Sequence, residues 1–480
     1  MFISRENELA SLNNLYASDK FEFFILYGRR RVGKTALLQE FCKDKNTIFF
    51  SCEQTNYALN LEKITKQIST HYDIQDLPCF ESLAQAITFI DKLQANSRLV
   101  LVIDEFPYIA KNNSLLLSQL QHLIDLKLQH ESKLFIILCG SYLGFMENEV
   151  LGYKSPLYGR RSGQLKLQPL DYYESSKFLP KLNALGKLQV YACLGGIPMY
   201  LNMYRQNLSF EQNIDLLFSK ADSFFNNEPL MLLKQEVKEV AIYNSIIYAI
   251  ATGASKANEI ATKTKEDVAK CLKYINTLCE LNILQKETPY LDKASSRKTT
   301  YSICDPMLNF YFRFVFFHEP STITQDLKNN FDQYMSSQFR VVCKQFLLQQ
   351  NCQRKLPFVF SSIGSLWNYD CKSRKDVKID LVASCDSNFM FGDCIWTNEK
   401  VDSEILDSLK QKSKRFIKGL KKEIFMLFSK SGFTDALIEE AENSPNILLY
   451  QFIVCKMIRT ISSFYTRIVS LDITTSFRIM

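Results

Sequence analysis

Phe21 to Lys43 reads FEFFILYGRRRVGKTALLQEFCK. FEFFILY has the pattern of a buried strand and TALLQEFCK that of a helix. Between them, Gly28-Arg29-Arg30-Arg31-Val32-Gly33-Lys34-Thr35 fits GxxxxGK(S/T) without a mismatch. A strand that turns through a glycine loop into a helix cradles phosphate: backbone N–H groups wrap the anion, and the helix adds its positive dipole end. On this reading Lys34 reaches the β- and γ-phosphates and the Thr35 hydroxyl ligates Mg²⁺. The loop backbone from Gly28 through Arg29, Arg30, Arg31, Val32 and Gly33 to Ala36 holds the nucleotide. The competing account is a chance glycine turn before a helix; the strand on one side and the helix on the other speak against it.

From Phe21 to about Gln168, short apolar strands alternate with helical stretches: FEFFILY, TIFFSC, RLVLVID, KLFIILCG and GQLKLQP. Near-continuous apolar strands separated by helices mean an α/β fold with a parallel sheet covered on both faces. RLVLVIDEFPYI ends in the paired acids that a phosphate loop needs. Asp104 would hold Mg²⁺ and Glu105 would orient and activate the attacking water. Acids are also ordinary at exposed strand ends, so the pair gains its meaning from the loop that precedes it.

KLFIILCGS ends in Ser141, placed to touch a γ-phosphate or the water, although a capping serine at a strand-to-helix turn has the same look. In SPLYGRR, Arg160 and Arg161 are rigid forks suited to stabilising charge as it transfers. Surface arginines are also common. The expected catalytic set is therefore Lys34, Glu105, Ser141, Arg160 and Arg161, with Thr35 and Asp104 as metal ligands.

The 480 residues exceed one ordinary core, so about two to four domains are expected. Residues 1–170 are expected to form the phosphate-loop core and 171–236 a small all-helical subdomain interrupted by Gly195-Gly196-Ile197-Pro198. Residues 237–317 run helix, ANEIATKT helix, the long amphipathic EDVAKCLKYINTLCELNIL, then strands QKETPY and KTTYSI about a polar turn, the order of a winged helix. After a less regular stretch around Glu319 to Asn330, a last domain over 330–450 opens on the helix DQYMSSQFRVVCKQFLLQQ and includes strands VKIDLVAS and FMFGDCIW. Residues 451–480 have no clear period or motif.

A net charge of +7 is a mild basic excess that suits nucleic acid without requiring it. The 14 cysteines form no CxxC pair and there are only 4 histidines, so a zinc site is not expected and reduced thiols in a cytoplasmic setting are. Arg5, Glu6 and Glu8 interrupt the start where a signal peptide needs an apolar run. No apolar run approaches the roughly 18 residues of a membrane helix, so no membrane partner is expected.

Taken together, FISRENELASL, LYGRRRVGKTALL, VIDEFPYI, ILCGS, SPLYGRR and YACLGGIPMYL resemble, in order, the boxes of the archaeal-type ATPases, a signal-transduction branch of the AAA+-like P-loop NTPases. The resemblance covers roughly Phe2 to Tyr450. It implies a sheet of order 5-1-4-3-2, a helical lid, ATP rather than GTP, and Pro198 lying against the adenine. The residues alone give Gly195 to Pro198 as a helix break.

Such proteins often end in a domain similar to PD-(D/E)xK nucleases, which gathers acids and a lysine around Mg²⁺. Asp380 and Asp393 match that pattern. Arg340 stands where the family has Glu and Ile395 where it has Lys; strand alternation points Ile395 to the same face as Asp393. Lys378, sharing a face with Asp380, is the one candidate substitute. The resulting expectation is a Mg²⁺-dependent ATPase acting as a nucleotide-driven switch, with nuclease activity lost and oligomerisation open. The alternatives are a DNA-binding protein with incidental ATPase, or a DNA-cleaving enzyme. The helix carrying Lys270 and Lys273 suits DNA or a protein partner equally.

Overall fold

The computed structural model describes residues 2–94, 97–220, 222–293, 296–370, 375–416, 421–453 and 456–459. The chain forms two compact units. The first comprises Met1–Leu170, Gly196–Met203 and Gln235–Lys238. Its sheet contains β1 (Glu22–Tyr27), β2 (Thr47–Ser51), β3 (Leu99–Asp104), β4 (Leu134–Gly140) and β5 (Gly163–Lys166). All neighbours are parallel, in the order β2-β3-β4-β1-β5, which is the order expected.

β1, β3 and β4 are buried along their whole length, as central strands covered on both faces must be. Helices Lys34–Cys42, Tyr57–Tyr72 and Leu83–Leu93 belong to the covering layers. Asn56 and Ser82 cap the latter two by accepting from the N–H groups of Leu59 and Gln85, each worth about 0.5–2 kcal/mol. In this register Tyr27 lies beside Gly140 and Ser51 beside Asp104, so the loops after β1, β3 and β4 leave the same edge.

The second unit comprises Asp171–Gly195, Tyr204–Lys234 and Glu239–Met480. It opens with helices including Ala184–Leu194, capped by Asn183, and Phe210–Ile214, capped by Ser209. Helices Val240–Ala251, Ala257–Thr264 and Val268–Glu280 follow, then the antiparallel hairpin β6 (Leu284–Glu287) and β7 (Thr300–Ile303). The third helix stops earlier than its apolar pattern suggests, because Asn282 turns left-handed at φ 54° and sends Leu284 into β6. Phe310, Phe312 and Phe314 are buried on helix Pro306–Phe314; Phe310 lies close to Phe218 and Tyr334, and Phe314 close to Tyr334.

The stretch from Glu319 to Asn330 is not irregular. It forms the start of one 33-residue helix, Pro320–Cys352, with Ile323 and Leu327 buried.

A six-stranded mixed sheet ends the unit: β8 (Ser362–Asp370), β9 (Lys375–Cys385), β10 (Asn388–Ile395), β11 (Lys422–Ser429), β12 (Ile447–Ile453) and β13 (Lys456–Arg459), adjacent in that sequence. Leu406 and Leu409 of helix Ser403–Phe416 and Leu437 of helix Asp435–Glu442 join Ile379, Phe391 and Leu427 in one core on one face. On the other, Phe339 and Phe346 of the long helix meet Phe428, Tyr450 and Phe452.

β12 runs through residue 450, so the expected boundary there cuts a strand. Residues 451–453 complete it and 456–459 pair back on it; 460–480 lie outside the described residues. Tyr290, on the hairpin connection, seats against Gly364 of β8, where a Cβ would stand 2.8 Å from the ring. Its N–H donates to the Ser365 carbonyl at 2.9 Å. Among the described residues no helix is long and apolar enough to cross a membrane.

Candidate functional site

The loop after β1 takes its shape from two glycines. Gly28 has φ +156°, and a Cβ there would stand 2.5 Å from the Leu167 carbonyl oxygen. Gly33 has φ +98° and opens helix Lys34–Cys42. Between them Arg31 is left-handed at φ 67°, a conformation disfavoured for a side-chain-bearing residue and typical of ligand clamps.

Lys34 is only 5% exposed. Its ammonium donates to the Gly28 and Arg29 carbonyl oxygens at 2.8 and 3.0 Å and, among the described residues, has no carboxylate partner. A buried cation held only by loop carbonyls is available to an anion in that loop. The Thr35 hydroxyl donates to Asp104 Oδ2 at 2.8 Å across the sheet edge. Asp104 is 3% exposed, and its Oδ1 accepts the Glu105 N–H at 2.9 Å. Glu105 is itself left-handed, φ 50°, and its Oε2 accepts from Ser141 Oγ at 2.7 Å. The chain thus brings Gly28 to Thr35, Asp104, Glu105 and Ser141 into one constellation. A hydroxyl–carboxylate pair beside a bare lysine and a glycine cradle fits a Mg²⁺-nucleotide.

Pro198, opening helix Pro198–Met203, lies against this loop: a Cβ added at Gly33 would be 3.8 Å from Pro198 Cγ. Gly196 permits the approach, since its Cβ would fall 1.8 Å from the Leu170 carbonyl oxygen. The two arginines of SPLYGRR part company. Arg160 grips Asp125 with two bonds of 2.7 Å and donates to the Pro156 and Tyr158 carbonyls, so its fork is occupied within its own surroundings. Arg161 lies over the Tyr158 ring, and its charge reaches Tyr27 at the end of β1.

Sequence reasoning missed a second ring of residues around the loop. Arg30 donates to the Tyr108 hydroxyl and lies over the Tyr142 ring. The Lys111 ammonium sits 3.7 Å from the centroid of that same ring. Burial raises the Glu236 carboxyl above its usual range, opposed by Lys111, Arg30 and Arg29. Burial also lowers Lys111, opposed by Glu236. Isolated tyrosines and one glutamate in KQEVKEV carry no motif, so only the fold could reveal them.

Asp380 and Asp393, the two aspartates singled out in the C-terminal sheet, are matched by cations. Asp380 pairs with Arg340 at 3.3 Å and with Lys378 at 3.4 Å. Asp393 pairs with Lys412 of helix Ser403–Phe416 at 2.8 Å. Ile395 packs against the apolar core on the helix side, the side on which Asp393 meets Lys412, so it shares a face with Asp393 as expected. Lys412, unremarked in the sequence, is the lysine that reaches Asp393. Among the described residues no group of three or more His, Cys, Asp and Glu is placed to hold a metal.

Burial raises the Asp393 carboxyl above its ordinary 3.8, and Lys412 opposes that rise. A raised carboxyl contributes stability below its unfolded value and loses it as pH climbs through the folded one. Lys412→Met is therefore expected to destabilise the protein by about 1–3 kcal/mol at pH 7, with the deficit shrinking toward pH 4 as Asp393 takes a proton. Thermal unfolding of both proteins across that range checks this; a deficit independent of pH would show that Lys412 acts through packing alone.

Residues 2–204 match a family described as an ATPase domain predominantly from Archaea. Residues 311–411 match one described as archaeal and bacterial proteins of unknown function. An uncharacterized protein of Methanocaldococcus jannaschii is 31% identical over 395 residues, covering 81% of this chain and 85% of that protein. An uncharacterized ATP-binding protein of the same organism is 47% identical over 45 residues, 9% of this chain and 76% of that protein. The Walker-type ATPase of Pyrococcus abyssi has a similar fold, with a TM-score of 0.50 at 20% identity over 65% of this chain and 96% of that one.

Proposed function

This chain belongs to the archaeal-type ATPase family, and from that premise we propose that it binds ATP with Mg²⁺ and hydrolyses it slowly, as a nucleotide-driven switch. The observation that carries the reading is the pair of hydrogen bonds at one sheet edge, Thr35 to Asp104 and Ser141 to Glu105, beside a buried lysine that has no carboxylate partner among the described residues.

Bound Mg²⁺ would neutralise phosphate charge; Thr35 and Asp104 are the groups to hold it. Lys34 exchanges its two carbonyl partners for phosphate oxygens, and the loop N–H groups from Gly28 to Ala36 fix the anion in place. Glu105 accepts the proton of the attacking water, with Ser141 orienting the carboxylate by its 2.7 Å bond. Arg161 supplies positive charge near the end of β1, while Arg160, committed to Asp125, holds the loop that carries it. Pro198 offers an apolar surface for the adenine.

On the same reading residues 171–236 act as the lid and 237–317 as a winged helix. The third helix of that segment favours a protein partner over DNA. Lys270 is tied to Glu266 at 2.9 Å and Tyr274 donates to Glu239, which leaves Lys273 as its one cation without an ion pair among the described residues. The C-terminal sheet serves binding or structure, because Arg340, Lys378 and Lys412 already neutralise the two aspartates that a nuclease would offer to metal.

One reaction tests these statements: the full chain with ATP and Mg²⁺, with and without duplex DNA, sampled for phosphate and for DNA fragments. Phosphate release that DNA leaves unchanged, with the DNA intact, is expected. Absence of nucleotide binding overturns the ATPase reading. Cleavage with Mg²⁺ or Mn²⁺ that disappears in Asp380→Ala and Asp393→Ala overturns the second.

A further inference from the structure

Within the second unit a cavity of about 300 Å³ opens between the turn after helix Val240–Ala251, the hairpin β6–β7, helices Pro306–Phe314 and Pro320–Cys352, and β9. We propose that it binds a small organic phosphate of about mononucleotide size, at a site separate from the phosphate loop. The volume lies at the lower end of the range of small-molecule sites.

Charge is the first observation. Arg313, Arg340 and Lys344 line the cavity together with Glu287 and Asp380. Asp380 is matched by Arg340 and, additionally, by Lys378. Among the described residues Arg313 donates only to neutral groups, the Ala251 carbonyl at 3.4 Å and Gln333 Oε1 at 3.0 Å. Lys344 has neither an ion pair nor a hydrogen bond among the described residues. Glu287 accepts from Gln285 on the hairpin itself. Among the described residues two cations, Arg313 and Lys344, thus face the cavity without a paired carboxylate, against Glu287 as the one acid not matched by a cation. Phosphate, carrying up to two negative charges, is the group that such an arrangement recognises.

The second observation is a polar side chain that faces the cavity without a protein partner among the described residues. Gln338 is 5% exposed, lines the cavity, and makes no hydrogen bond among the described residues. Its amide atoms are not closed off by protein, so they present a donor and an acceptor to whatever fills the cavity. It lies on the same long helix as Arg340 and Lys344, so one rigid element would present cations to the phosphate and an amide to the rest of the molecule. Ile250, Ala251 and Leu381 supply apolar wall for the carbon skeleton. Because the walls come from the hairpin segment, the long helix and β9, an occupant would tie these three together.

The site makes no use of Lys34, so it stands or falls apart from ATP turnover. Titration calorimetry on the full chain carrying Lys34→Ala, which silences the phosphate loop, uses AMP, ribose 5-phosphate and inorganic phosphate as probes. One saturable site for AMP or ribose 5-phosphate is expected. Lys344→Gln should weaken it about tenfold, the scale of one charge-assisted hydrogen bond, and Gln338→Leu should weaken it as well. Lys344 is partly exposed, so its variant is expected to fold, which an unchanged thermal midpoint checks. Binding of inorganic phosphate alone would overturn the organic part of the proposal. No saturable binding of any probe, or binding indifferent to both substitutions, would overturn all of it.

Discussion

Lys34→Ala is expected to lower ATP turnover by at least on the order of 10²–10³-fold and to weaken ATP binding strongly, while the protein stays folded. Lys34 brings the loop's ammonium, and among the described residues that ammonium is bonded only to the Gly28 and Arg29 carbonyl oxygens. Among the described residues no carboxylate is left orphaned when it goes, so the loss should fall on phosphate recognition rather than on stability. Fluorescent-nucleotide titration and phosphate release, beside a thermal midpoint, separate the two. Undiminished affinity and turnover in a folded variant would sink the assignment of the loop.

Glu105→Gln should behave differently. Glutamine keeps the length and can still meet the Ser141 hydroxyl, which now bonds Glu105 at 2.7 Å, but it cannot accept a proton at working pH. Turnover is expected to fall by about 10²–10⁴-fold with ATP affinity changed little, since general-base catalysis is lost and ground-state binding is not. Glu105 lies one residue beyond Asp104, whose Oδ1 caps its N–H. If binding and turnover fell together, the acid would be holding the strand end and not the water.

The parts of this molecule that were legible in sequence are those where chemistry constrains neighbours along the chain. Gly28 and Gly33 at fixed spacing, and the apolar run ending at Asp104, announce themselves because backbone geometry and strand burial both demand particular residue types. Thr35 and Asp104 lie 69 positions apart, yet strand order brings them to 2.8 Å, and a motif with known topology is enough to foresee it.

Contacts without a local signature stayed hidden. Lys412 looks like any lysine on an exposed helix face until β10 places Asp393 beneath it. Arg160 looks free until Asp125, 35 positions earlier, takes both arms of its fork. The segment from Glu319 to Asn330 reads as irregular because its threonines and asparagines are weak helix formers; Ile323 and Leu327, buried 4 residues apart, override that propensity.

The seat of Tyr290 on Gly364 bears on modularity. Two segments that look in sequence like separate cassettes share a keyed joint, in which the ring of one fills the space left by the missing side chain of the other. Trp367 fastens the same joint by donating to the Lys298 carbonyl at 3.1 Å. Residues 237–317 are consequently a poor candidate for grafting onto another protein. Transplanted alone, the hairpin would carry an exposed tyrosine with no socket, and the sheet left behind would keep a notch at β8. Exchange between relatives should succeed only when key and keyhole travel together.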